Sequence, residues 1–269
     1  MNKMLRVAVC GWDLSTASYD SVSLDVSSED ATPTDVAFKP DGTKMYVVGF
    51  SNKSIRQYTL STGWDLSTAS YDSISFSVSS QGSSPMGVAF KPNGTKMYVI
   101  GNSSDAVHQY TLSTGWDLST ASYDSISFYL QSEDDSPSSV AFKPNGTKMY
   151  VVGKISDAIH QYTLSTAWDL STVSYDSVSF SVSSQEADPT DVAFKPNGTK
   201  MYVIGNSDWV HQYTLSTGWD LDTASYDSVR FDVASQDSSP WGVAFKPDGT
   251  KMYFVGISSD SVYQYSLVC

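Results

Sequence analysis

WDLSTASYDS stands at residues 12–21, 64–73 and 116–125, and with one change each at 168–177 (WDLSTVSYDS) and 219–228 (WDLDTASYDS). The steps between copies are 52, 52, 52 and 51 residues, and VAFKP follows each copy with its Phe at 38, 90, 142, 194 and 245. A fixed period near fifty that holds four strand-length runs is the pattern of a β-propeller blade. The chain is therefore expected to be all-β: one five-bladed propeller of four-stranded antiparallel blades, spanning residues 1–269 as a single domain.

One unit, read from Pro33, places an innermost strand at Asp35–Phe38 and then the turn Pro40-Asp41-Gly42. Gly tolerates positive φ and Pro ends the ladder, so this turn makes a hairpin. A second strand is expected at Lys44–Val48 and a third at Ile55–Leu60. The fourth is clearest at Ile74–Ser79, where apolar and polar residues alternate. The chain begins inside a blade, because residues 19–28 form a fourth strand with no first three before them. They are expected to pair beside Ser261–Leu267 and close the ring, which removes both open edges. Cys10 and Cys269 align with one repeat position, held by Thr62 in the first complete copy, so a disulfide between them is expected to be within reach. Residues 1–9 have no place in the repeat.

VAFKPDGTKMYVVG (36–49) followed by IRQYTL (55–60) resembles the blade of YVTN and NHL-type propeller repeats. The Trp-Asp after the third strand is similar to the dipeptide of WD-repeat blades, although the Gly-His element of that family is missing. Five blades of this length also resemble the tachylectin type of sugar-binding propeller, by blade count alone. These motifs imply a fold and carry no catalytic residues with them.

The formal charge is −13, with no stretch that concentrates Lys and Arg. Such a field repels phosphate backbones and anionic lipid, which argues against nucleic acid and membrane-surface partners. The longest apolar runs are strand-sized, so membrane insertion is not expected, and no apolar segment of signal-peptide length opens the chain. Oligomeric state is left open.

The five copies can be compared with one another. The Pro-Asp/Asn-Gly turn and WDLSTASYDS hardly vary, whereas the links entering the innermost strands (ending TPTD, SPMG, SPSS, DPTD and SPWG) and the loops between second and third strands do. Antiparallel order puts both variable sets on one face. The five repeat tryptophans read as packing residues. Trp209 and Trp241 lie outside the repeat, on that variable face of adjacent blades, and with Asp208 and His211 they read as a stacking site for a sugar ring. His108, His160 and His211 share one repeat position, but third strands lie roughly 15 Å from the axis, so the three cannot share an ion. No metal or cofactor motif is present. Asp105, Asp157, Asp208 and Asp260 recur singly in the variable loops and read as solvated acids. Among the innermost strands, Asp35 and Asp191 are the acids at the mouths, too little to suggest an enzyme. The sequence thus points to a non-enzymatic binding module that recognises a glycan or another surface polymer. The alternative is a structural or protein-interaction disc in a virus particle or cell-surface assembly. Either would place the chain outside the cell, at the cell surface or on a virus particle.

Overall fold

The computed structural model describes residues 11–268, in which the repeat closes into a ring of five four-stranded antiparallel blades. From the axis outward, blade one comprises Pro33–Phe38, Lys44–Gly49, Ser54–Leu60 and Ala69–Ser77. The innermost strands of blades two to five are Pro85–Phe90, Pro137–Phe142, Pro189–Phe194 and Pro240–Phe245, and they pack on one another around the axis. Blade five takes its outer strand from the start of the chain: Ala17–Asp25 pairs with Ser261–Leu267, from Ala17 opposite Leu267 to Asp25 opposite Ser261. Closure is as expected, with the strand displaced toward the N-terminus. Cys10, Cys269 and residues 1–9 lie outside the described residues.

The outer strands start earlier than alternation suggests. In blade one the strand begins at Ala69 and carries a bulge between Tyr71 and Ile74, with Ser73 at φ 59°. A bulge inserts unpaired residues and shifts the period, so the regular half alone was visible in sequence. The loop before it is ordered as well. Trp64 adopts φ 67°, and Asp65 caps a 3₁₀ turn at Leu66–Thr68 by accepting from the Ser67 amide. Left-handed backbone at Trp64 and Ser73, with the capped turn between them, explains why WDLSTASYDS tolerates so little change.

Each repeat tryptophan joins two blades. The Trp64 ring lies 5.0 Å from Phe38 of its own blade and 6.0 Å from Tyr253 of blade five, whose hydroxyl donates to the Trp64 carbonyl at 2.6 Å. The indole also covers Gly42, where a Cβ would fall 2.3 Å from the ring and φ is +74°. The turn glycine is thus demanded twice, by its conformation and by the tryptophan above it. Trp12, Trp64, Trp168 and Trp219 are buried and Trp116 is half-buried.

A second device repeats five times. Asp72, in the bulge, accepts from Lys44 Nζ (2.7 Å), Gln57 Nε2 (2.8 Å) and Thr59 Oγ1 (2.6 Å), while Gln57 Oε1 accepts from the Leu118 amide of the next blade at 2.9 Å. Asp124, Asp176, Asp227 and Asp20 hold the same position, and Gln264 of blade five reaches the Leu66 amide of blade one. Burial pushes these five carboxyls up, but hydrogen bonds from the lysine, hydroxyl and glutamine pull them further down, to below the ordinary range. A lowered carboxyl contributes stability that is complete above the unfolded-chain value of about 4 and is lost as pH falls through the lower folded value. Asp124→Ala is expected to cost about 2–3 kcal/mol at pH 7, or roughly 5–10 °C in Tm. Thermal melts of both proteins from pH 7 to pH 2 should show that difference shrinking below about pH 4, and a pH-independent difference would refute the latch.

Candidate functional site

The innermost strand of each blade places one residue at the same register: Asp35 opposite Val48, Gly87 opposite Ile100, Ser139 opposite Val152, Asp191 opposite Ile204 and Gly242 opposite Val255. These five positions form a ring about the axis, just inside the face that carries the variable loops. An innermost strand is a sheet edge, so its inward amides need partners from outside the ladder. Two carboxylates supply them. Asp35 accepts from its neighbour Val36 at 2.6 Å and from Val88 of blade two at 2.7 Å. Asp191 accepts from Val192 at 2.7 Å, from Val243 of blade five at 2.6 Å, and from the Ser139 hydroxyl of blade three. Gly242 makes room for the first, since a Cβ there would sit 2.8 Å from Asp35 Cα.

Both carboxyls are buried, at 7% and 5% exposure. Burial pushes both up, and the charge of Asp191 pushes Asp35 further, so Asp35 is the member held protonated. Asp191, with one more donor, is the member better able to carry charge. Burial raises this pair as it raises the latch aspartates, but here it outweighs the hydrogen bonds, so the net shift has the opposite sign. The amide of Val140 occupies the equivalent place in blade three. Gly87 stands where the preceding blade would supply a carboxylate, and no side chain among the described residues accepts from Val140.

Above this ring lies an open depression of about 200 Å³ whose walls include Thr34, Phe50, Met86, Asn102, Trp241 and Ile257. Thr34, Met86 and Trp241 each immediately precede a residue of the axial ring. Trp241 leans into the clusters that contain Met86 and Phe50, its Nε1 is buried without a partner, and Lys154 of blade three lies 4.4 Å over its ring. Lys154 is itself paired with Asp188 at 2.8 Å.

The residues singled out from sequence are not gathered at one point. Trp241 is half-buried at the axial mouth. Trp209 starts the third strand of blade four, well away from the axis, with Arg230 4.0 Å over its ring. His211 is 1% exposed, beside Tyr226, and is pushed down to about 4 by burial and then by Arg230, so it is neutral and enclosed. Asp208 holds φ 66°, and Asp105, Asp157 and Asp260 hold φ 46–50° at the same loop position. Left-handed backbone favours short polar side chains, and the carbonyls of these aspartates accept from the amides of Leu130, Val182, Val233 and Val26, each the residue just after an outer strand. Their recurrence therefore has a backbone cause, where the sequence suggested solvated acids. Asp134, paired in sequence with Asp135, is buried and accepts from the Ser136 and Ser156 amides, both at 2.7 Å, which staples the loop. Among the described residues no three His, Cys, Asp or Glu converge as metal ligands, and no helix is long and apolar enough to cross a membrane.

Similar solved structures include a functionally unknown protein from Desulfotomaculum acetoxidans (12% identity, TM-score 0.50, 83% of this chain and 62% of that one). A second, from Bacteroides uniformis and provisionally assigned as a 6-phosphogluconolactonase, shares 14% identity at TM-score 0.52, over 86% and 65% of the two chains. A third, from Lactobacillus plantarum, shares 14% at TM-score 0.53, over 87% and 67%. This chain thus spans about two thirds of their length, and at such identities the likeness is one of fold. No curated protein matches the sequence. A family model does: the one described as lactonase, seven-bladed β-propeller, over residues 25–218. That finding overturns the expectation of a non-enzymatic glycan-binding or assembly disc, and with it the lectin-like, cell-surface and virus-particle reading. In sequence Asp35 and Asp191 read as separate acids, whereas the ring sets them against each other at one axis. With its match extending over well more than half of the sequence, the chain belongs to the lactonase β-propeller family, here with a ring of five blades.

Proposed function

We propose that the chain hydrolyses a lactone at the axial mouth, with Asp191 as general base and Asp35 as general acid. The observation that carries this reading is the unequal pair of buried carboxyls at the axis, one held protonated and the other stabilised as the anion by three donors. Two titratable groups pushed apart by their surroundings supply both halves of a proton-transfer cycle. Asp191 takes a proton from water as the water oxygen bonds to the lactone carbonyl carbon. Negative charge develops on the carbonyl oxygen, where the free Val140 amide is the available backbone donor. Collapse breaks the bond between the acyl carbon and the ring oxygen, and Asp35 protonates the departing oxygen. The pair then holds one proton on Asp191, and transfer between the two carboxyls restores the starting state. The product is a hydroxy acid that ionises and releases one proton to solution.

The rate should follow a bell-shaped pH profile. It falls on the acid side as Asp191 protonates and on the alkaline side as the shared proton leaves Asp35. Both groups are raised, so the acid limb lies above the ordinary carboxylate value of about 4. Proton release from simple five- and six-membered lactones, followed from pH 4 to pH 9, tests this. A rate no faster than the uncatalysed background, or one that tracks hydroxide alone, rejects the reading.

A further inference from the structure

We infer that the substrate is an uncharged lactone bearing an apolar substituent, seated in the depression walled by Phe50, Met86, Trp241 and Ile257, and that a phosphorylated sugar lactone is excluded. This rests on the hydrolase reading above. The depression lies at the variable-loop end of blades one, two and five, where Thr34, Met86 and Trp241 line it and the residue after each belongs to the axial ring. Its exposed lining surface is mostly apolar, from Phe50, Met86, Trp241 and Ile257, with Thr32, Thr34 and Asn102 as the polar side chains. Such a site gains affinity by removing apolar surface from water and orients its ligand with few polar contacts.

A phosphate ester would need cations that this face does not offer. Its loops carry two lysines, Lys53 and Lys154. Lys154 is committed to Asp188 and to the face of Trp241, and Lys53 sits in a left-handed turn of the blade-one loop. The same loops bury Asp30, Asp134, Glu186 and Asp237, and the whole chain carries −13. A dianion would meet an adverse field with no basic cluster to hold it. Trp241, which lines the depression, also keeps its Nε1 buried without a partner.

The test pairs turnover with binding. Wild-type kcat/KM is measured on γ-lactones with side chains from methyl to hexyl and on 6-phosphogluconolactone, and binding of the matching alkyl lactams, which do not react, is measured by calorimetry. The expected result is a gain of up to roughly fourfold per added methylene until the depression is filled, with no saturable turnover of the phosphorylated compound. Ile257→Arg, at a half-buried position where folding should be retained, is expected to flatten the chain-length dependence in both assays. If lactams bind with the chain-length trend while no lactone is opened, the hydrolase reading fails and the apolar site stands. If lactones are opened without regard to chain length, or the phosphorylated lactone is the better substrate, the inference is overturned while the hydrolase reading survives.

Discussion

Asp191→Asn is expected to lower kcat for lactone opening by about 10²–10⁴-fold, the range for loss of a general base, in a protein that stays folded. The asparagine oxygen can still accept from Val192 and Ser139, but its amide nitrogen then faces the Val243 amide, donor against donor. An unsatisfied buried amide costs about 1–3 kcal/mol, less than the roughly 5–15 kcal/mol that holds a domain folded. Asp35→Asn should lose turnover by a comparable factor, because the acid half of the cycle is missing. Ser139→Ala separates positioning from folding. The Ser139 hydroxyl holds Asp191 down against burial, so its loss should move the acid limb of the pH profile upward while the Tm changes little. Unchanged kcat in folded Asp191→Asn, as judged by circular dichroism and melting, would remove Asp191 from the chemistry.

Trp64→Ala is expected to cost about 3–5 kcal/mol, as for a large buried aromatic. It removes the contacts with Phe38 and Tyr253 and uncovers Gly42, and Ala gains nothing at φ 67°. At roughly 2–4 °C per kcal/mol the melting temperature should fall by some 6–20 °C. Trp116 is the least buried of the five, so Trp116→Ala should cost somewhat less. Denaturant titration of both variants measures the difference. A Trp64→Ala protein within 1 kcal/mol of wild type, on the scale of an exposed substitution, would mean that the blades are not clasped through these indoles.

Most of the fold is legible because the chain repeats it five times. Periodicity marks the blades, the Pro-Asp-Gly turns mark the hairpins, and the orphan outer strand marks the closure. The bulged start of the outer strand is hidden because Tyr71, Asp72 and Ser73 break the two-residue period on which strand recognition depends. The site is legible only in fragments. Trp241 stands out as a departure from the repeat, and it does lie at the axial mouth. Trp209 stands out for the same reason, yet its face is occupied by Arg230. Asp35 and Asp191 look unimportant in sequence, because one-dimensional spacing hides the fact that blades one and four face each other across the ring. Comparing the copies at the ring position, which read Asp, Gly, Ser, Asp and Gly, is the better signal. The position is polar in three blades and glycine in two, directly before the Val-Ala-Phe run that all five innermost strands share.

Whether the axial carboxyls hold one proton between them at neutral pH decides the chemistry. A ¹³C NMR titration of aspartate carboxyls in the wild-type protein, assigned against Asp35→Asn and Asp191→Asn spectra, measures this directly. Two signals are expected to titrate together above the ordinary aspartate range of about 4, each variant leaving its partner to titrate alone at a changed value. If both carboxyls are fully ionised from pH 4 upward and titrate independently, the pair stores no proton, and the proposed chemistry at the axis is wrong.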